Sequence, residues 1–168
     1  QIGVLGKRPD SVRNIAKEKL GKLKGYYASG RLGMLIDGTG KDYKKLSEKR
    51  QALVDLGYDT YMIFVDTSLE RSQEQNAKRE RKLDPEEVEK MWQQVQDNKE
   101  NYQELFGVKN FTIVVNNEPV PPSKEATRAV QEFAQAPVEN PLGQSWMATQ
   151  LAAKDTSGDA PAEEPKKE

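Results

Sequence analysis

The run Gly33-Met34-Leu35-Ile36-Asp37-Gly38-Thr39-Gly40 constrains the fold of this chain more than any other segment. Leu32 to Asp37 is apolar without alternation, the pattern of a strand covered on both faces, as in parallel sheets. It ends in a carboxylate and a glycine-rich turn. Asp42 to Leu56 then predicts a helix, with Tyr43, Leu46, Leu53 and Leu56 on one side and Gly57 as its C′ glycine. Thr60 to Val65 follows as a second strand, rich in β-formers. Strand, helix, strand is a βαβ unit, expected to be right-handed. A carboxylate at the carboxyl end of such a strand sits where open α/β sheets bind ligands.

Further elements can be read on either side. Gln1 to Pro9 reads as a loop or the end of a removed element. Asp10 or Ser11 is a candidate N-cap for a helix to about Tyr27, with Val12, Ile15, Ala16, Leu20 and Leu23 near helical spacing, weakened by Gly21 and Gly25. Gly30 is a stop signal. Asp66-Thr67-Ser68 caps a polar helix running to about Lys78. Asp84-Pro85-Glu86-Glu87 starts another, carrying Val88, Met91, Trp92, Val95, Tyr102 and Leu105 and closing at Gly107. Phe111 to Val115 is a third buried strand, and Ser123 to Phe133 an amphipathic helix. The expected organisation is a helical segment over 1–30, an α/β core over 31–136 with a lid around 71–84, a docking segment over 137–153 that contains Trp146, and a disordered tail over 154–168. Apolar strands separated by helices give a three-layer α/β class.

Composition removes several chemistries. The chain has 168 residues, with 26 basic and 27 acidic side chains for a net charge of −1, so broad affinity for nucleic acid has no electrostatic basis. It contains no Cys and no His, which excludes disulfides, thiolate metal sites and every Ser-His or Cys-His arrangement. No apolar run approaches the roughly 20 residues of a membrane span, and a cytoplasmic location is expected.

Acid–base work therefore falls to Asp, Glu, Lys or Tyr. Asp37 either accepts a proton from a substrate hydroxyl or binds a metal-linked water, or it caps the turn. Gly38 and Gly40 permit close backbone approach or positive φ. Thr39 donates to a phosphate or closes the turn. Lys41 reaches a phosphate or lies on the helix surface. Arg71, Lys78, Arg79, Arg81 and Lys82 either clamp phosphate oxygens or form a solvated helix end, and Asn76 is a polar candidate beside them. The phosphate-cradling GxxxxGK[ST] loop does not occur. Gly25 and Gly30 have its spacing, but Arg31-Leu32 replaces its Lys and Ser/Thr.

The order of these features resembles the middle of a P-loop kinase over Arg31 to Asn116. The resemblance is carried by Leu35-Ile36-Asp37-Gly38-Thr39-Gly40-Lys41-Asp42, by Leu56-Gly57-Tyr58-Asp59-Thr60, by Leu69-Glu70-Arg71 and by Asn76-Ala77-Lys78-Arg79-Glu80-Arg81. Zeta-toxin-like and small-molecule or polynucleotide kinase-like proteins, including versions carried by tailed phages, are the kin it points to. The resemblance implies a P-loop NTPase-like parallel sheet, ATP and Mg2+, and transfer of the γ-phosphate to a hydroxyl on a small molecule or a nucleic-acid end. It places Asp37 at the acceptor, with Gly38, Thr39, Gly40 and Lys41 lining that pocket. Arg79 and Arg81 reach the transferring phosphate, and Arg71, Asn76 and Lys78 lie on the nucleotide side. No metal ligand comes from this chain. The family's first strand, Walker A loop and following helix are expected before Gln1, and without them weak or no ATP binding is expected. The setting implied is cytoplasmic, in the host if phage-encoded. The alternative is a non-catalytic interaction protein on an eroded kinase scaffold.

Overall fold

The computed structural model describes residues 12–120 and 122–157. The loop expected over Gln1 to Pro9, the cap at Asp10 or Ser11 and the tail after Ser157 lie outside those residues. The chain divides into two compact units, residues 1–38 and residues 39–168.

In the first unit, helix α1 (Val12–Ser29) runs through Gly21 and Gly25 without a break. It ends in a Schellman arrangement: Leu32 N–H donates to the Tyr27 carbonyl at 3.0 Å and Arg31 N–H to that of Ala28 at 3.2 Å. The left-handed residue of this stop is Arg31, at φ 51°, and not Gly30. Residues 32–38 then run without regular structure, which corrects the strand expected over Leu32 to Asp37. An apolar run supplies propensity, but a strand needs a partner for its backbone groups. Among the described residues of this unit there is no second strand.

The second unit is built on a two-stranded parallel sheet. Strand β1 (Met62–Asp66) pairs with β2 (Phe111–Val115) in the register Met62 opposite Phe111 to Asp66 opposite Val115. Helix α2 (Tyr43–Asp55) precedes β1. Helices α3 (Leu69–Lys78), α4 (Pro85–Asp97) and α5 (Lys99–Phe106) form the crossover, and α6 (Ser123–Gln135) and α7 (Pro141–Ser157) follow β2. The molecule is thus mixed α/β and mostly helical. Among the described residues two of the three expected strands form, so the βαβ unit lies between β1 and β2 and not between residue 32 and β1.

Local chemistry sets these boundaries. The Asp42, Ser68 and Asp84 side chains cap α2, α3 and α4 by accepting from Lys45, Arg71 and Glu86 N–H. Gly57, at φ 95°, ends the turn after α2. The single helix expected from Asp84 to Gly107 breaks at Asn98, which ends α4 and starts α5. The core is Phe64, Tyr102, Phe106 and Phe111, with Tyr43, Leu46, Met62, Val95 and Leu105 packed against it. Phe64 and Phe111 meet in this core as tilted rings 5.9 Å apart.

The start of α7 is hydrogen-bonded to the end of α2. Asn140 Nδ2 donates to the Val54 and Tyr58 carbonyls at 2.9 and 3.2 Å, while its Oδ1 accepts from Leu142 N–H at 3.0 Å. One side chain therefore serves the end of α2 and the start of α7. The helix continues to Ser157, so residues 154–157 of the expected tail are helical.

Gly57 and Gly143 touch at this junction. A Cβ on Gly57 would stand 2.7 Å from Gly143 N, and one on Gly143 would run into the Gly57 carbonyl oxygen. Gly143→Ala should cost about 1–3 kcal/mol by overpacking. Urea unfolding at matched m-value measures it, and wild-type stability would show that α7 does not dock this way.

Candidate functional site

The carboxyl ends of β1 and β2 carry a polar network. Asp66 closes β1. Its Oδ2 accepts from Lys99 Nζ at 2.6 Å and its Oδ1 from Gln96 Nε2 at 2.9 Å. Burial raises the Asp66 carboxyl, but the bonds from Lys99 and Gln96 and the Lys99 charge outweigh it, and the net shift is downward. Lys99 Nζ also stands 5.7 Å from the Phe64 ring centroid. The Asp66 carbonyl accepts from Asn116 N–H at 2.8 Å, extending the ladder one residue past β2.

The loops after the two strands are latched together. Ser68 N–H donates to Asn117 Oδ1 at 2.7 Å. Arg71 Nη2 donates to the Glu118 carbonyl at 3.1 Å and Nη1 pairs with Glu74 at 3.0 Å, while Nε is buried without a partner. Trp92 Nε1 donates to the Thr67 carbonyl at 2.7 Å, which fixes α4 to the same end.

The glycine turn splits at the unit boundary. Asp37 and Gly38 are exposed residues of the first unit, and Thr39, Gly40 and Lys41 belong to the second. Gly40 has φ 71°, the positive value its sequence position allows. Its carbonyl accepts from Tyr102 OH at 2.7 Å and from Asn98 Nδ2 at 3.2 Å, and Asn98 Nδ2 also reaches the Lys41 carbonyl at 3.1 Å. Burial first, then the charges of Asp42 and Tyr43, raise the Tyr102 hydroxyl, so it remains a neutral donor. Lys41 Nζ lies 3.5 Å from Met91 Sδ on α4.

The remaining cations sit elsewhere. Helices α3 and α4 form a hairpin whose base is at the strand ends, through Trp92 and Gln96, and whose tip is the segment 79–84. Ten residues of α3 place that tip about 15 Å from its base. Lys78, Arg79, Arg81 and Lys82 are all exposed there, and no ion pair engages them among the described residues. Asn76 is buried beneath them, its amide bonded to the backbone of Leu83.

The structure thus sets Gly40 and Lys41 against α4 and α5 with Thr39 exposed beside them, groups Asn76, Lys78, Arg79 and Arg81 at the hairpin tip, and sets Arg71 at the base. Sequence reasoning missed Asp66, Lys99, Gln96 and Asn98. Asp66 carries the same signal as Asp37, a carboxylate ending an apolar strand, but in sequence it also reads as part of a helix cap. Lys99 and Gln96 look like ordinary helix-surface residues.

The Asp66–Lys99 pair gives a pH test. A carboxyl depressed in the folded state contributes stability above its unfolded value near 3.8, lost as pH falls through the lower folded value. Asp66→Asn should cost about 1–2 kcal/mol at pH 7, and the gap to wild type should close in the acid range below 3.8. Urea melts across pH measure it, and a gap independent of pH would refute the pairing. No protein-family model, curated protein or solved structure matches this chain.

Proposed function

We propose that the chain is the acceptor-and-lid part of an ATP-dependent phosphotransferase of P-loop kinase type, with a three-layer sheet. The observation that carries the reading is the basic loop at the hairpin tip. Lys78, at the end of α3, and Arg79, Arg81 and Lys82, on a loop closed at its base, are exposed and in no ion pair among the described residues. Arginine forks match phosphate oxygens in number and geometry, and a lid of this kind stabilises charge on a phosphoryl group in transfer.

The roles are those the resemblance implies. The acceptor hydroxyl attacks the γ-phosphorus, the bond to the β–γ bridging oxygen breaks, and ADP leaves. The resemblance assigns Asp37 to accept the hydroxyl proton. Gly38, Thr39, Gly40 and Lys41 frame the acceptor, and Arg79, Arg81 and Lys78 hold the phosphates. Arg71 supports the loops at the strand ends. Bound Mg2+ would neutralise phosphate charge. Among the described residues no group of three acidic side chains converges to hold a cation. Among the same residues no helix is long and apolar enough to cross a membrane.

The second reading, a non-catalytic interaction protein, is favoured by α7. It exposes Leu142, Met147 and Leu151 on a docked helix.

Titration of the isotope-labelled chain with Mg-ATP, followed by amide NMR, separates them. Without a Walker loop the affinity should be weak, with a Kd near or above about 1 mM. Shifts should cluster at residues 78–83, and Arg79→Ala with Arg81→Ala should weaken binding about tenfold. Shifts absent from that loop would sink the phosphotransferase reading and leave the interaction protein.

A further inference from the structure

We propose that Asn76 is a positioning residue that locks the basic loop in one register for an anionic ligand. The inference rests on the phosphotransferase reading only for the kind of ligand. Asn76 is 6% exposed and, the tyrosine hydroxyl of Tyr102 aside, the one buried polar side chain among the described residues. Its Nδ2 donates to the Leu83 carbonyl at 2.9 Å and its Oδ1 accepts from Leu83 N–H at 2.9 Å. Its own carbonyl accepts from Arg79 N–H at 3.2 Å. A single residue therefore fixes where the loop leaves α3 and where it rejoins the chain before α4.

The residue type matters. Pairing both backbone groups of Leu83 needs one donor and one acceptor on a planar, short side chain. Aspartate has no donor when ionised and would set a second acceptor against the Leu83 carbonyl. Alanine would take the side-chain partner from two part-buried backbone groups of Leu83.

The consequence is for the cations. Lys78, Arg79, Arg81 and Lys82 lie within five positions, with only Glu80 among them, and repel one another. An open loop would let them spread. Clamped at its base, the loop keeps them on one short arc, so a polyphosphate meets them with less ordering left to do. The clamp itself is neutral and takes no ligand-binding group.

The test uses the whole chain, Asn76→Ala and Asn76→Asp, with inorganic tripolyphosphate as probe. Asn76→Ala leaves the loop's charge unchanged and is the variant for affinity. Trypsin cleavage within 78–82 should rise about tenfold in both variants, and tripolyphosphate should bind Asn76→Ala about three- to tenfold more weakly than wild type. In the wild-type chain, where folding of a variant is not at issue, the Leu83 amide should exchange at least about tenfold more slowly than that of Lys82. Fast Leu83 exchange overturns the clamp. Unchanged cleavage and affinity in a chain that does bind tripolyphosphate overturn the role of Asn76 alone. A protected Leu83 amide in a chain that binds no tripolyphosphate overturns the phosphotransferase reading and the ligand assigned to the loop.

Discussion

The burial of Tyr102 is the constraint on which the second unit depends. The residue is fully buried, its ring 5.5 Å from Tyr43 and packed with Phe64, Phe106 and Phe111. A buried phenol needs a hydrogen-bond partner, and the partner is the Gly40 carbonyl. The core can close only with the glycine turn drawn against α5. Gly40 accepts this because its positive φ aims the carbonyl inward, and a side chain at that position would be strained. Packing and site geometry are thus joined through one hydroxyl.

The strand ends show the opposite economy. Asp66 and Lys99 are partly withdrawn from water, which opposes their charges, and the loss is offset by a short ion pair and the Gln96 amide. Replacing either partner alone strands the other. Such a pair is weak evidence for stability but strong evidence for register, since it holds α5 to the end of β1. With Trp92 on Thr67 and Asn117 on Ser68, three elements are fixed at the edge where parallel sheets present ligand sites. The hairpin of α3 and α4 leaves from this fixed base.

Much of this was legible because it is local. Asp42, Ser68, Asp84-Pro85 and Gly57 mark helix ends through bonds made within a few residues, and the apolar runs at β1 and β2 are short, branched and aromatic. What was not legible depends on partners distant in sequence. Leu32 to Asp37 carries the propensity of a strand, but its pattern says nothing about what would pair with it. Asn98 sits inside a helical periodicity that predicts continuity. Its break is set by the carbonyls of Gly40 and Lys41, far upstream. Lys99 reads as a surface charge until Asp66 is placed beside it.

Asn76 illustrates a further limit. Its partner is seven residues away, a separation that belongs to neither helical nor strand periodicity. A polar residue in a polar helix gives no hint of burial. Yet the basic loop above it would otherwise resemble any solvated helix end, because charge count alone cannot distinguish cations that are spread by repulsion from cations that are held together. Burial of the neutral amide makes that distinction. It removes conformational freedom from the loop without removing a single positive charge, which lowers the ordering cost for any polyanion that meets the loop.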